Sequence, residues 1–87
     1  MKSQITPEFR KLLRDLPKDI RKQARDSYQL FKDNPYHPSL QFKQVNPRKR
    51  LYSVRVGLYY RALGLRVNDD LIIWGWIGTH TEYERRI

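Results

Sequence analysis

Two periodicities divide the chain. In the N-terminal part, apolar residues recur at helical spacing: Ile5, Phe9, Leu12, Leu13 and Leu16, then Ile20, Ala24, Tyr28 and Phe31 with Leu30 beside them. Steps of three and four place each set on one face of a helix. Thr6-Pro7-Glu8 has the chemistry of a helix start: a capping hydroxyl, proline at the first helical position and an acid in the first turn. Pro17 ends the first helix and opens the second, which Asp33-Asn34-Pro35 stops. The pattern predicts two antiparallel helices joined by a tight proline-containing turn.

From Leu40 the period becomes two. Residues 36–39, Tyr-His-Pro-Ser, read as a loop, with His37 a loop residue. Leu40 and Phe42 alternate with Gln41 and Lys43, which predicts a half-buried strand, and Asn46-Pro47-Arg48-Lys49-Arg50 reads as a turn. Tyr52, Val54 and Val56 then face one way, while Leu51, Ser53 and Arg55 face the other. Gly57-Leu58 is a second turn, residues 59–67 a third strand, and Asn68-Asp69-Asp70 a third turn. Leu71 to Ile77 is apolar on both faces and is expected inside the sheet, with Trp74 and Trp76 as packing residues. Gly78-Thr79-His80 ends it, and residues 81–87 form a tail or short helix. The expected fold is α+β: an N-terminal α-hairpin packed on a four-stranded twisted antiparallel sheet, one domain over 1–87.

Composition narrows the classes. The chain has 87 residues, 39% hydrophobic and 31% charged, enough for one small core. There is no run of ~18 apolar residues, so no membrane span is expected. Met1 to Gln4 leads straight into a polar, amphipathic segment, so a secretory leader is not expected and the expected location is cytoplasmic. The lack of cysteine excludes disulfides, thiolate metal sites and cysteine nucleophiles. The two histidines show none of the paired spacings of a zinc site, so neither metal nor cofactor is expected. The glycine-containing turns lack phosphate-loop spacing.

Charge changes the picture more. Lys and Arg number 18 against nine Asp and Glu, a net +9. The helical part mixes both signs, but between Asp33 and Asp69 there is no acid. That interval holds Lys43, Arg48, Lys49, Arg50, Arg55, Arg61 and Arg66. Such an unopposed set points to a polyanionic or acidic partner. Arg55 and Arg61 sit on neighbouring strands across a short turn. Arg55 points away from the Tyr52/Val54/Val56 side, whereas alternation leaves the direction of Arg61 open. If both face out, two guanidiniums reach one phosphate and stabilise charge developing in its transition state. His80 adds an imidazole, a group that can serve as general acid or base. Tyr83, three residues on, shares its face on a helical turn, where it can stack on a base, assist proton transfer or anchor the C-terminus. Lys43, Arg48, Lys49 and Arg50 are candidate phosphate contacts that position a nucleic acid without reading its sequence.

The order of elements carries a resemblance. So do the strand pair Leu51-Tyr-Ser-Val-Arg-Val-Gly-Leu-Tyr-Tyr-Arg61-Ala-Leu and the ending Trp-Ile-Gly-Thr-His80-Thr-Glu-Tyr83. Together they resemble the RelE/ParE superfamily of bacterial type II toxin–antitoxin toxins, over nearly the whole chain. The Gly-Thr-His ending looks most like the YafQ and HigB-like branches. The resemblance implies a ribosome-dependent mRNA endoribonuclease acting in the ribosomal A site. There the ribose 2′-hydroxyl attacks the adjacent phosphate and no metal is needed. By the same resemblance, Arg61 matches the arginine that contacts the scissile phosphate. Arg55 matches the basic or histidine position one strand earlier, and His80 the C-terminal acid or base. Tyr83 falls near the family's C-terminal aromatic, at a different offset from the histidine, and Lys43 lies in a strand that often carries positive charge. Ser53 stands where RelE has a lysine, and residues 34–68 supply no carboxylate base, which leaves more of the proton transfer to His80. The implied partners are an acidic cognate antitoxin, the ribosome and mRNA. The alternative is a ParE-like toxin that inhibits DNA gyrase without cutting RNA; such members lack the acid–base histidine. A third class is a basic binding module without catalysis.

Overall fold

A computed structural model describes residues 1–87. The helix start forms as its chemistry dictates. Thr6 Oγ1 accepts from the Phe9 amide at 3.0 Å, and Pro7 opens helix α1 (Pro7–Arg14). Helix α2 (Lys18–Asp33) follows after Pro17. Arg21 on α2 donates to the carbonyls of Leu16 (2.7 Å) and Arg14 (3.3 Å), satisfying acceptors left open where α1 ends.

The sheet has five strands: β1 (Lys2–Ile5), β2 (Lys43–Asn46), β3 (Leu51–Val56), β4 (Tyr60–Asn68) and β5 (Leu71–Thr79). Their order is β1-β5-β4-β3-β2, with β1 parallel to β5 and every other pair antiparallel. A short helix, α3 (His80–Glu84), closes the chain. The sheet is therefore mixed and five-stranded, which corrects the expected four antiparallel strands. The missed strand is four residues long and runs directly into a helix cap, too short for its alternation to stand out. It forms because β5 offers an unpaired edge. Trp74 Nε1 donates to Ser3 Oγ at 2.7 Å, and the Tyr28 hydroxyl donates to the Ser3 carbonyl at 3.0 Å. With β1 in place, β5 lies inside the sheet, as its apolar run requires.

A second correction concerns β2, which begins at Lys43 instead of Leu40. Pro38–Leu40 form a 3₁₀ turn, and Gln41 adopts left-handed backbone (φ 47°), which a strand does not tolerate. Leu40 and Phe42 are apolar for packing. Leu40 is fully buried, and Phe42 stacks on Tyr52 at 5.1 Å and meets Phe31 edge-on at 5.0 Å.

The helices cover one face. Phe9, Ala24 and Phe31 pack there on Val54, Val56, Ala62, Ile72, Trp74 and Ile77. α1 leans on β5 and α2 on β3. A groove of ≈ 370 Å³ between them is lined by Phe9, Leu13, Ala24 and Tyr28. The opposite face carries a smaller cluster of Leu63, Trp76 and Tyr83. The two tryptophans, two residues apart, belong to different faces. Leu63 pairs with Trp76 but Gly64 with Trp74, so Gly75 is an extra residue in β5, a bulge that reverses the phase. In the β3–β4 turn, Gly57 has φ +61°, and any side chain there would also collide with Gln23 of α2.

Two glycine substitutions test this packing. A Cβ at Gly64 would lie 2.7 Å from the buried Trp74 ring and 3.0 Å from Ile72, whereas one at Gly75 would meet only Thr6, at 4.0 Å. Gly64→Ala is expected to cost about 1–3 kcal/mol of overpacking. Gly75→Ala is expected to stay within about 0.5 kcal/mol. Chemical denaturation measures both; equal losses would contradict this account of the crowding.

Candidate active site on the open face of the sheet

The register places the cations. On the covered face Val54 pairs with Ala62 and Ala62 with Ile77; one residue along, Arg55 pairs with Arg61 and Arg61 with Gly78. Arg61 thus shares the open face with Arg55, a direction that alternation left undecided. Lys43 pairs with Ser53 and joins the same face. The Arg61 guanidinium donates to the Tyr60 carbonyl at 3.2 Å and lies 6.0 Å from the centre of the Tyr83 ring. Burial lowers its pKa from the ordinary arginine value; Tyr83 opposes that shift and the adjacent Arg55 adds to it. A partly desolvated cation beside a second cation is a ready anion site.

His80 arrives from α3. Thr79 ends β5 and caps the helix: its Oγ1 accepts from the Glu82 amide at 3.2 Å. Glu82 Oε1 in turn accepts from the Thr79 amide (3.0 Å) and hydroxyl (2.9 Å). These two hydrogen bonds hold the Glu82 carboxyl below its usual range. The His80 amide donates to the Tyr59 carbonyl at 2.7 Å, tying α3 to the strand that carries Arg61. Tyr83, 5% exposed, packs into Leu63 and Trp76 and meets the His80 ring edge-on at 5.7 Å. His80 Nε2 lies 2.9 Å from Glu84 Oε1. Gly78, across from Arg61, leaves room for the Trp76 ring, with which any Cβ would collide. Arg55, Arg61, Tyr83 and His80 therefore form one contiguous row.

The other expected contacts lie elsewhere. Arg48, Lys49 and Arg50 occupy the exposed β2–β3 turn, at the far end of β3. Leu51 and Arg55 are four residues apart, ~13 Å along a strand. Between the two ends runs an apolar groove of ≈ 340 Å³, lined by Leu51, Leu63, Leu65, Ile73 and Trp76 and edged by Lys49 and Arg86. Arg86 stacks over Trp76 at 4.8 Å. Arg66 leaves the open face: it lies over the Tyr52 ring at 5.3 Å and donates to the Asp69 carbonyl at 3.1 Å. Its bond to the Tyr52 hydroxyl raises its pKa. His37 caps the 3₁₀ turn, its Nδ1 accepting from the Ser39 amide at 3.2 Å. Ser53, on the open face, is 1% exposed and its hydroxyl has no partner. Sequence reasoning missed Glu84 and Arg86. The signal for Glu84 was its spacing of four from His80, which has meaning only once residues 80–84 are helical.

One ion pair exists in the molecule, His80–Glu84, and no Lys or Arg has a carboxylate oxygen within 4.0 Å. No three His, Asp or Glu side chains gather to hold a metal, and no helix is long and apolar enough to cross a membrane.

The sequence model of the ParE-like toxin domain matches residues 18–85. The chain belongs to the ParE-like toxin family. It is thereby a type II toxin–antitoxin toxin of the RelE/ParE superfamily. Solved structures share the toxin fold. RelE in the RelB–RelE antitoxin–toxin complex of Methanococcus jannaschii superposes with TM-score 0.73 at 22% identity, covering 97% of this chain and 98% of that one. YafQ of E. coli gives 0.72 at 14%, over 94% and 96%. The YoeB/ParE toxin of Agrobacterium tumefaciens gives 0.69 at 12%, over 92% and 99%. No curated protein matches the toxin by sequence.

The α3 cap of the toxin predicts an acid response. Because the folded pKa of Glu82 is depressed, its contribution is present above the ordinary carboxylate pKa and is lost as pH falls through the folded value. Acidification is expected to fray α3, read from the Cα chemical shifts of residues 80–84. Thr79→Ala should flatten that response, and an unchanged titration in the variant would refute the role of the cap.

Proposed function

We propose that this toxin is an mRNA endoribonuclease that acts on the ribosome. One observation carries the reading: Arg55 and Arg61 stand side by side on the open face without a carboxylate, in a row with Tyr83 and the His80 imidazole. In the reaction, the 2′-oxygen of a ribose attacks the adjacent phosphorus and loses its proton. The P–O5′ bond breaks and the departing oxygen gains a proton, leaving a 2′,3′-cyclic phosphate and a 5′-hydroxyl. The nucleophile belongs to the substrate, so the step needs neither metal nor cofactor. Arg61, with Arg55, neutralises the charge that grows on the phosphoryl oxygens. His80 moves a proton as acid or base, and Tyr83 holds His80 and Arg61 in register. Lys43 contacts the RNA backbone near this row, and Arg48, Lys49 and Arg50 do so from the far end of the groove.

The same unopposed charge supports an acidic cognate antitoxin as the second partner, in line with the M. jannaschii homologue, which is seen in complex with RelB. A toxin that acts on translating ribosomes works in the cytoplasm.

Inducible expression followed by mapping of mRNA 5′ ends tests the reading; cuts in register with codons are expected. Arg61→Ala should lower cleavage about 100- to 1,000-fold through lost transition-state stabilisation. His80→Ala should lower it about 100- to 10,000-fold. Both variants should keep the wild-type circular dichroism spectrum. Undiminished cleavage by both would remove this site, and intact mRNA with trapped gyrase–DNA complexes would select the non-nucleolytic ParE-type activity.

A further inference from the structure

Glu84 has no part in the chemistry described so far. In a chain with 18 Lys and Arg, its carboxylate pairs with none of them and meets His80 Nε2 at 2.9 Å instead. Both side chains are exposed, and the helix sets their spacing. His80 and Glu84 are the first and last residues of α3, four apart and so on one face. The helix is held by the Thr79–Glu82 capping box and by the His80 amide bond to Tyr59. Glu82, the other carboxylate of α3, is committed to the cap. Arg61, reaching α3 from β4, faces the Tyr83 ring.

The bond has a chemical consequence. A carboxylate oxygen only accepts, so a hydrogen bond at this distance requires the hydrogen on Nε2. In the neutral imidazole the lone pair then belongs to Nδ1. Tyr83 meets the ring from one side and Glu84 meets it at Nε2, which together favour one basic nitrogen and one ring orientation.

We propose that Glu84 is a positioning residue: by holding His80 Nε2–H, it makes Nδ1 the base that takes the 2′-hydroxyl proton. The role rests on the nuclease reading above. As the 2′-oxygen bonds to phosphorus, its proton passes to Nδ1. The P–O5′ bond breaks, and the departing oxygen takes a proton from water. The imidazolium afterwards releases its Nδ1 proton to solvent, with Nε2–H still held by Glu84. In this way a carboxylate enters the reaction from the C-terminal helix, although residues 34–68 contain none.

The test compares the wild-type chain with Glu84→Ala, Glu84→Gln and His80→Ala, using ribosomes programmed with a defined mRNA. Glu84→Ala should lower kcat about three- to five-fold with KM unchanged, the upper range for an exposed charged pair. Glu84→Gln keeps an amide oxygen that can accept from Nε2–H and should restore most of the rate. Long-range ¹H–¹⁵N spectra at alkaline pH should show the proton on Nε2 in the wild type and a mixture of tautomers in Glu84→Ala. An Nδ1–H imidazole in the wild type, an unchanged kcat in Glu84→Ala, or an equal loss in Glu84→Gln would overturn the role. If the wild type cleaves, His80→Ala does not, and Glu84→Ala matches the wild type, this inference alone fails. If the wild type does not cleave, the nuclease reading fails and takes the inference with it.

Discussion

The row Val54–Ala62–Ile77, packed across three strands beneath the helices, fixes the register on which the other face depends. Side chains alternate strictly, so burying these three sends Arg55 and Arg61 to the open side. A slip of one residue would push the arginines under α1 and α2. Burying an unpaired charge costs several kcal/mol, so that alternative is closed. Arginines directly opposite one another on a sheet repel, and the local structure gains nothing from them. Their placement is held by the apolar row behind them, and the site is in this sense a by-product of the core.

The same reasoning explains the scarcity of ion pairs. A protein with nine more cations than anions cannot neutralise itself, but it does hold nine carboxylates. Those carboxylates sit mainly on α1, α2 and the β4–β5 turn, among basic side chains, yet none comes within 4.0 Å of a Lys or Arg nitrogen. The open face is left without any counter-charge between Lys43 and Arg61. Self-repulsion of this kind weakens the free fold and strengthens association with any polyanion, because binding relieves it. A polyanionic substrate and an acidic inhibitor would draw on the same energy, and so would compete for one surface.

How much of this was legible in the chain follows from how local each signal is. Both long helices and β3 to β5 announce themselves, since caps, prolines and alternation lie within a few residues of the elements they define. β1 does not, because its evidence is the bare edge of β5, some seventy residues away in sequence. Leu40 and Phe42 imitate a strand because two residues that pack at different depths happen to alternate. The bulge at Gly75 is equally hidden: periodicity puts Trp74 and Trp76 on one face, and only the pairing with Leu63 and Gly64 separates them. In the site, the outward direction of Arg55 could be read from its neighbours. That of Arg61 required its partner, and Glu84 required knowing that the tail is a helix.

The imidazole and the guanidiniums are held by different kinds of structure. Arg55 and Arg61 belong to the middle of a sheet whose register is set by its core. His80 belongs to a five-residue helix, far too short to persist in water by itself. What joins them is Tyr83, buried against Leu63 and Trp76 on the face that carries the arginines, with its ring between Arg61 and His80. The capping box gives α3 its shape, and Tyr83 gives it its place. Loss of the aromatic would leave Arg55, Arg61 and His80 in the sequence intact and still separate them, because position is what the proposed chemistry requires. The side chain that contributes least to the proposed chemistry is therefore the one that brings two separate features, a basic sheet face and a terminal histidine, together.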